Sequence, residues 1–200
     1  WGYRFLDVLA MLRNHSARLA AAGEPLAFYF FDAFTINQHT FFLGSTAAAG
    51  AHQALIDGLR NSLIACGNVV LCCTAGPSGE PGWMSPAPLS RIWCLFELFT
   101  SFREQIPIDM QFAPEDERSF KMALQKNGLV QIEQALLRID AATAQASVEE
   151  DRIAILDDIQ RHMNIGDFNV RVRDGLRTEY RRVSTASMVR SQHKSGPSSP

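Results

Sequence analysis

Three short apolar runs constrain the fold: LAFYFFDAF at 26–34, NVVLCCTAG at 68–76 and IPIDMQF at 106–112. The first two are too short for an ordinary helix and lack polar alternation, the pattern of strands covered on both faces. The third alternates Ile106, Ile108, Met110 and Phe112, and its Pro107, which cannot donate to a ladder, points to an edge position. Segments of helical spacing precede each run. Residues 3–22 carry Phe5, Leu6, Leu9, Leu12 and Leu19 before Gly23 and Pro25, and residues 51–66 carry Leu55, Ile56, Leu59, Leu63 and Ile64 in one stripe. With a third helix over 89–104, the order is that of a parallel α/β sheet with right-handed crossovers.

From Pro114 onward the strands stop. Stretches 115–127, 129–145, 148–163 and 168–183 read as helices, the third opening on the capping-box pattern SVEE. The expected organisation is an α/β domain over 1–113, a helical extension over 114–185 and a disordered tail over 186–200, where SMVRSQHKSGPSSP lacks apolar content. A hydrophobic content of 46% in 200 residues suffices for a core. No apolar run approaches the roughly eighteen residues needed to cross a bilayer, so the expectation is a soluble, cytoplasmic protein without membrane insertion. The net charge of -2 argues against a globally basic nucleic-acid binder. Seven acidic residues against two basic lie between Asp140 and Asp167, and seven basic against two acidic between Arg171 and Lys194. Helix faces that attract one another account for this, or a docking surface for an acidic partner. Cys66, Cys72, Cys73 and Cys94 form no CxxC pair, which predicts buried reduced thiols and no metal site.

The segment LSRIWCLFELF, 89–99, keeps one carboxylate among bulky apolar residues. On a helix, Ser90, Cys94, Glu97, Ser101 and Glu104 fall on one narrow stripe flanked by Trp93, so Glu97 is expected at the border of the core. A structural role there is an ion pair with Arg91, Arg103 or a neighbouring helix; the alternative is chemistry. In open parallel sheets ligands bind beyond the carboxyl ends of the strands. That edge holds Asp32 with the loop AFTINQH after the first run, and the Gly-, Pro- and Ser-rich loop 75–88 with Trp83 after the second. His39 is a candidate acid or base, or a hydrogen-bonding loop residue. No Ser/His/Asp order, P-loop or GxGxxG is present. RRVST places two arginines just before Ser184, a candidate phosphorylation site for a basophilic kinase.

LSRIWCLFEL resembles the S-x-W-C-L-x-E-L signature of plant-type Toll/interleukin-1 receptor (TIR) domains, matched by Ser90, Trp93, Cys94, Leu95, Glu97 and Leu98. FFDAFTINQ is similar to the D-A-x-x-I-N-Q segment of fungal heterokaryon-incompatibility domains, which are TIR-like. A likeness covering almost the whole chain is to a family of protist and algal proteins with a D-x-F-x-x-N-Q-H... R-x-W-C-L-x-E pattern, often attached to tetratricopeptide repeats. Asp32, Phe34, Asn37, Gln38, His39, Arg91, Trp93, Cys94, Leu95 and Glu97 fit it. The resemblance implies a flavodoxin-like sheet of order 2-1-3-4-5 whose central first strand is missing from a chain that begins at Trp1. Many TIR domains cleave the nicotinamide glycosidic bond of NAD with the glutamate of this signature, so the resemblance implies Glu97 as catalytic carboxylate and NAD as substrate rather than cofactor. Trp93 and Ser90 would then line the pocket, with Asp32, Asn37 and His39 shaping its mouth. Other TIR domains only self-associate, so the resemblance also implies a non-catalytic interaction module that binds its own copies or other protein domains.

Overall fold

The computed structural model describes residues 5–31, 51–75 and 79–194. Its elements, in chain order, are α1 (Phe5–Ala21), α2 (Ala51–Cys66), β1 (Val69–Cys73), a 3-10 turn (Ala87–Ser90), α3 (Ile92–Arg103), β2 (Ile108–Phe112), α4 (Pro114–Asn127), α5 (Val130–Leu137), α6 (Glu149–His162) and α7 (Ile165–Lys194). The architecture is mixed α/β with a helical majority around a small parallel sheet. β1 and β2 pair in parallel from Val69 opposite Ile108 to Cys73 opposite Phe112, with α3 in the crossover between them.

Alternation along β2 decides what packs where. Ile108, Met110 and Phe112 enter the main core, whereas Asp109, on the other side of the pleat, meets α1. Phe112 lies 5.0 Å from Phe120 of α4 and 6.1 Å from Tyr180 of α7, ring centre to ring centre. Tyr180 is enclosed, and its hydroxyl donates to the Trp83 carbonyl at 2.8 Å, so its polar end is satisfied inside the core. Burial holds that phenol well above its ordinary pKa. One apolar cluster runs from Ile56 through α3 to Val172, Leu176 and Tyr180, so the core crosses the expected division at 113. The loop before α3 presses equally close. A Cβ on Gly82 would lie 2.1 Å from the Cys73 carbonyl oxygen, and the Gly82 amide donates to Asp116 Oδ2 at 2.8 Å.

Several elements differ from their sequence-based expectation. The buried edge of α1 is Val8, Met11 and His15, which leaves Phe5 and Leu6 exposed: the apolar stripe is rotated because the helix turns its polar His15 toward the sheet. Residues 26–31 of the first run form no strand among the described residues; Leu26 (76% exposed), Phe28 (90%) and Phe30 (49%) face outward. Residues 32–34 of that run lie outside the described residues. The helix expected over 129–145 stops at Leu137 despite its alanines. Asp140 Oδ1 accepts from the Ala142 amide, Asn169 Oδ1 accepts from the Ala141 amide, and these bonds divert the backbone from helix. The N-cap of α6 is Val148, not Ser147, and no side chain caps the helix, so SVEE makes no capping box. The tail expected to be disordered from 186 is instead helical as far as Lys194. The opposite charges of α6 and α7 largely pair elsewhere: Asp151 with His52 and Asp158 with Arg60 on α2, Arg177 with Glu133 on α5 and Arg182 with Asp109 on β2. No described helix is long and apolar enough to cross a membrane.

One polar network ties α1 and α7 to the sheet. His15, 2% exposed, meets the Tyr29 hydroxyl through Nδ1 at 2.7 Å and Asp109 Oδ2 through Nε2 at 3.1 Å. Arg182 donates to Asp109 Oδ1 at 3.1 Å and to the Ile108 carbonyl at 2.9 Å. Burial would raise the Asp109 pKa, but the hydrogen bonds from His15 and Arg182 outweigh it and hold the carboxyl below its ordinary value. Its contribution to stability is therefore full above the ordinary carboxylate pKa of about 4 and lost as pH falls through the lowered one. Asp109→Asn is expected to cost about 2 kcal/mol in urea unfolding at pH 7 and to shrink the stability difference between pH 7 and acid. An unchanged pH dependence would show that Asp109 carries none of it.

Candidate functional site

α3 is placed from both ends. At its start Arg91 is extended and bridges the 145 segment: the Ile92 amide donates to the Gln145 carbonyl at 3.0 Å and the Gln145 amide to the Ser90 carbonyl at 2.8 Å. Beyond its midpoint Phe99 packs at a tilt against Phe168 of α7, ring centres 4.8 Å apart. Between these anchors Trp93 and Glu97 lie one turn apart on the same helix face, both half-buried. Glu97 is thus at the border of the core, as its position on the helical wheel implied. Its backbone carbonyl accepts the Ser101 hydroxyl at 2.8 Å, and Ser101 is buried rather than part of an open polar seam.

Trp93 donates from Nε1 to Asp151 Oδ2 of α6 at 3.3 Å, and Asp151 Oδ1 lies 3.0 Å from His52 Nδ1 of α2. Three helices therefore meet at one carboxylate. Asp151 sits in the first turn of α6, where the helix dipole favours negative charge. Deeper in the same junction, Arg60 of α2 donates to Asp158 Oδ2 at 3.1 Å and to Asp57 Oδ1 at 2.9 Å, with its guanidinium 5.7 Å from the centre of the Phe96 ring. Asp158, 3% exposed, also accepts from Gln53 at 3.3 Å. A carboxylate so deeply buried persists because a cation and an amide face it.

The expected site residues do not all converge here. Trp93 and Glu97 do. Ser90 is exposed in the 3-10 turn, its hydroxyl on the Ala87 carbonyl at 2.8 Å, and it lines a cleft of about 470 Å³ walled by Met84, Arg91, Arg138 and Gln145, without Trp93 or Glu97. Asp32, Asn37 and His39 lie outside the described residues. Ser184 is buried inside α7 and donates to the Tyr180 carbonyl at 2.6 Å, so a kinase would have to unwind the helix to reach it. Arg103 pairs with Glu104 at 2.8 Å and stands over the Phe99 ring. His52, Arg60, Asp151 and Asp158 escaped the sequence reading. His52 and Asp151 are 99 residues apart, and no local pattern marks either.

The thiols are free, and Cys66, at the end of α2, is exposed rather than buried. Burial pushes Cys72 up to about 12 and Cys73 well above its ordinary value, which keeps both protonated and unreactive. Among the described residues no group of three or more His, Cys, Asp and Glu is placed to hold a metal ion. No family model, curated protein or solved structure matches the chain.

The buried pair at the base of this junction is expected to matter far more to folding than the surface pair Arg177–Glu133. Arg60→Met, which strands Asp158, should cost about 3 kcal/mol in chemical denaturation. Arg177→Met should cost about 1 kcal/mol or less. Equal losses would mean that water reaches Asp158 freely.

Proposed function

We propose that the chain is a TIR-like intracellular signalling domain that hydrolyses the nicotinamide glycosidic bond of NAD, with Glu97 as the carboxylate beside the ribose. What carries this reading is the placement of Glu97 at the core border of α3, the crossover helix between two parallel strands, one turn from Trp93. The signature resemblance supplies the chemistry, and the half-buried position of Glu97 agrees with it.

As the bond to nicotinamide breaks, its electron pair moves onto the ring nitrogen and neutralises the pyridinium. The ribose C1′ takes on oxocarbenium character. An ionised Glu97 stabilises that charge and holds the sugar hydroxyls, an interaction stronger in the transition state than in the ground state. Trp93, its N–H held by Asp151, offers a ring of fixed orientation as a wall. In this reading Asp32, Asn37 and His39 contribute the mouth of the site and Ser90 a peripheral contact.

A second reading, an interaction module without turnover, draws on the outward row Leu26, Phe28 and Phe30. Large exposed apolar side chains gathered in a patch mark association surfaces. Self-association and catalysis are compatible, and the two are separable by experiment.

Chromatography should detect nicotinamide released from NAD by the wild type, and Glu97→Gln should reduce the rate at least about 100-fold while keeping the melting temperature. A folded, concentrated wild type that releases none would remove the catalytic reading. In sedimentation velocity the interaction reading expects mass to rise with concentration for the wild type and to stay monomeric for Phe28→Asp. A monomer at all concentrations would remove self-association.

A further inference from the structure

We infer that His52 is the general base of this hydrolysis and that Asp151 is the residue positioning it. The inference rests on the reading of Glu97 given above and deepens it. Asp151 is held through both oxygens, Oδ2 by the Trp93 indole at 3.3 Å and Oδ1 by His52 Nδ1 at 3.0 Å. An ionised carboxylate can only accept, so Nδ1 carries a proton, and in the neutral imidazole the lone pair is then on Nε2. Nε2 has no hydrogen-bond partner among the described residues, and the imidazole side chain is 32% exposed against 19% for Asp151. A covered carboxylate behind a reachable imidazole is how a base is oriented by a third group.

The same carboxylate joins His52 to α3, the helix that carries Glu97. Through Trp93 it fixes the imidazole of α2 against α3, and Glu97 follows Trp93 by one turn. In the step itself, a water oxygen bonds to C1′ as the bond to nicotinamide breaks. The electron pair of that bond goes to the nicotinamide nitrogen, and the water proton goes to His52 Nε2. The resulting imidazolium faces Asp151 and then loses its proton to solvent, leaving ADP-ribose and neutral nicotinamide. The charged group in contact with His52 is Asp151 on α6; Asp158 and Arg161 lie further along that helix, and Asp57 and Arg60, paired with each other, further along α2.

A mere clamp between α2 and α6 would give the same hydrogen bond, so the test uses readouts that a clamp would not move. Nicotinamide release by the wild type should show the acid limb that a required general base gives. His52→Gln should be slower by about 100-fold or more and lack that acid limb. Asp151→Asn should lower kcat with little change in KM. A second measurement avoids turnover: in the ¹⁵N-histidine spectrum of Glu97→Gln, the resonance absent from the corresponding His52→Gln spectrum should shift on adding NAD. An unchanged acid limb in His52→Gln would overturn the role of His52 and leave Glu97 standing. A shift with NAD but no release from the wild type would show binding and overturn the base. Neither release nor shift would overturn both readings.

Discussion

Two parallel strands cannot stand alone in water, because a sheet this narrow buries too little to offset the ordering of its own backbone. Everything else in the molecule answers that constraint. α7 brings Leu176 and Tyr180 against the aromatic pair Phe112 and Phe120, and Tyr180 can be enclosed there because the Trp83 carbonyl accepts its hydroxyl. On the other side of β2, Asp109 collects His15 from α1 and Arg182 from α7. The strand is thus fastened by apolar packing on one pleat and by charge on the other.

The candidate site follows from the same economy of elements. With two strands among the described residues, α3 becomes the scaffold, and the helices around it are joined by carboxylates. Asp151 and Asp158 lie seven residues apart on α6, on the face that meets α2 and α3, and each holds a base of α2: His52 in one case, Arg60 in the other. The first pair is half open and the second is buried, so one helix face carries both a candidate for chemistry and a structural fastening.

Much of this order is readable from side-chain periodicity. β1, β2, α2, α3 and α6 fall where runs of apolar residues and helical spacing put them, since those signals are local. What escaped is what distance decides. His15 reads as a polar interruption in α1, yet its bonds to Tyr29 and Asp109 make it part of the buried face. The alanines after Leu137 read as helix, yet the hydrogen bonds their amides donate to Asn169 and Asp140 hold them in turns. Leu26, Phe28 and Phe30 look like residues of a covered strand because apolar content alone cannot say whether a partner lies across each face. In the site, Trp93 and Glu97 were legible from a motif. His52 and Asp151 were not, because their pairing exists only after α2 and α6 have met.

The reliance of β2 on α7 also bears on how the protein is made. Phe112 leaves the ribosome well before Tyr180 and Arg182, an interval on the order of ten seconds at ordinary translation rates. During that time the aromatic face of the nascent sheet has no lid, and the carbonyl of Ile108 and the carboxylate of Asp109 lack their guanidinium. The core can close only when α7 emerges. Folding of this core therefore waits for α7, and the waiting polypeptide is a natural client for chaperones that shield exposed aromatic surface.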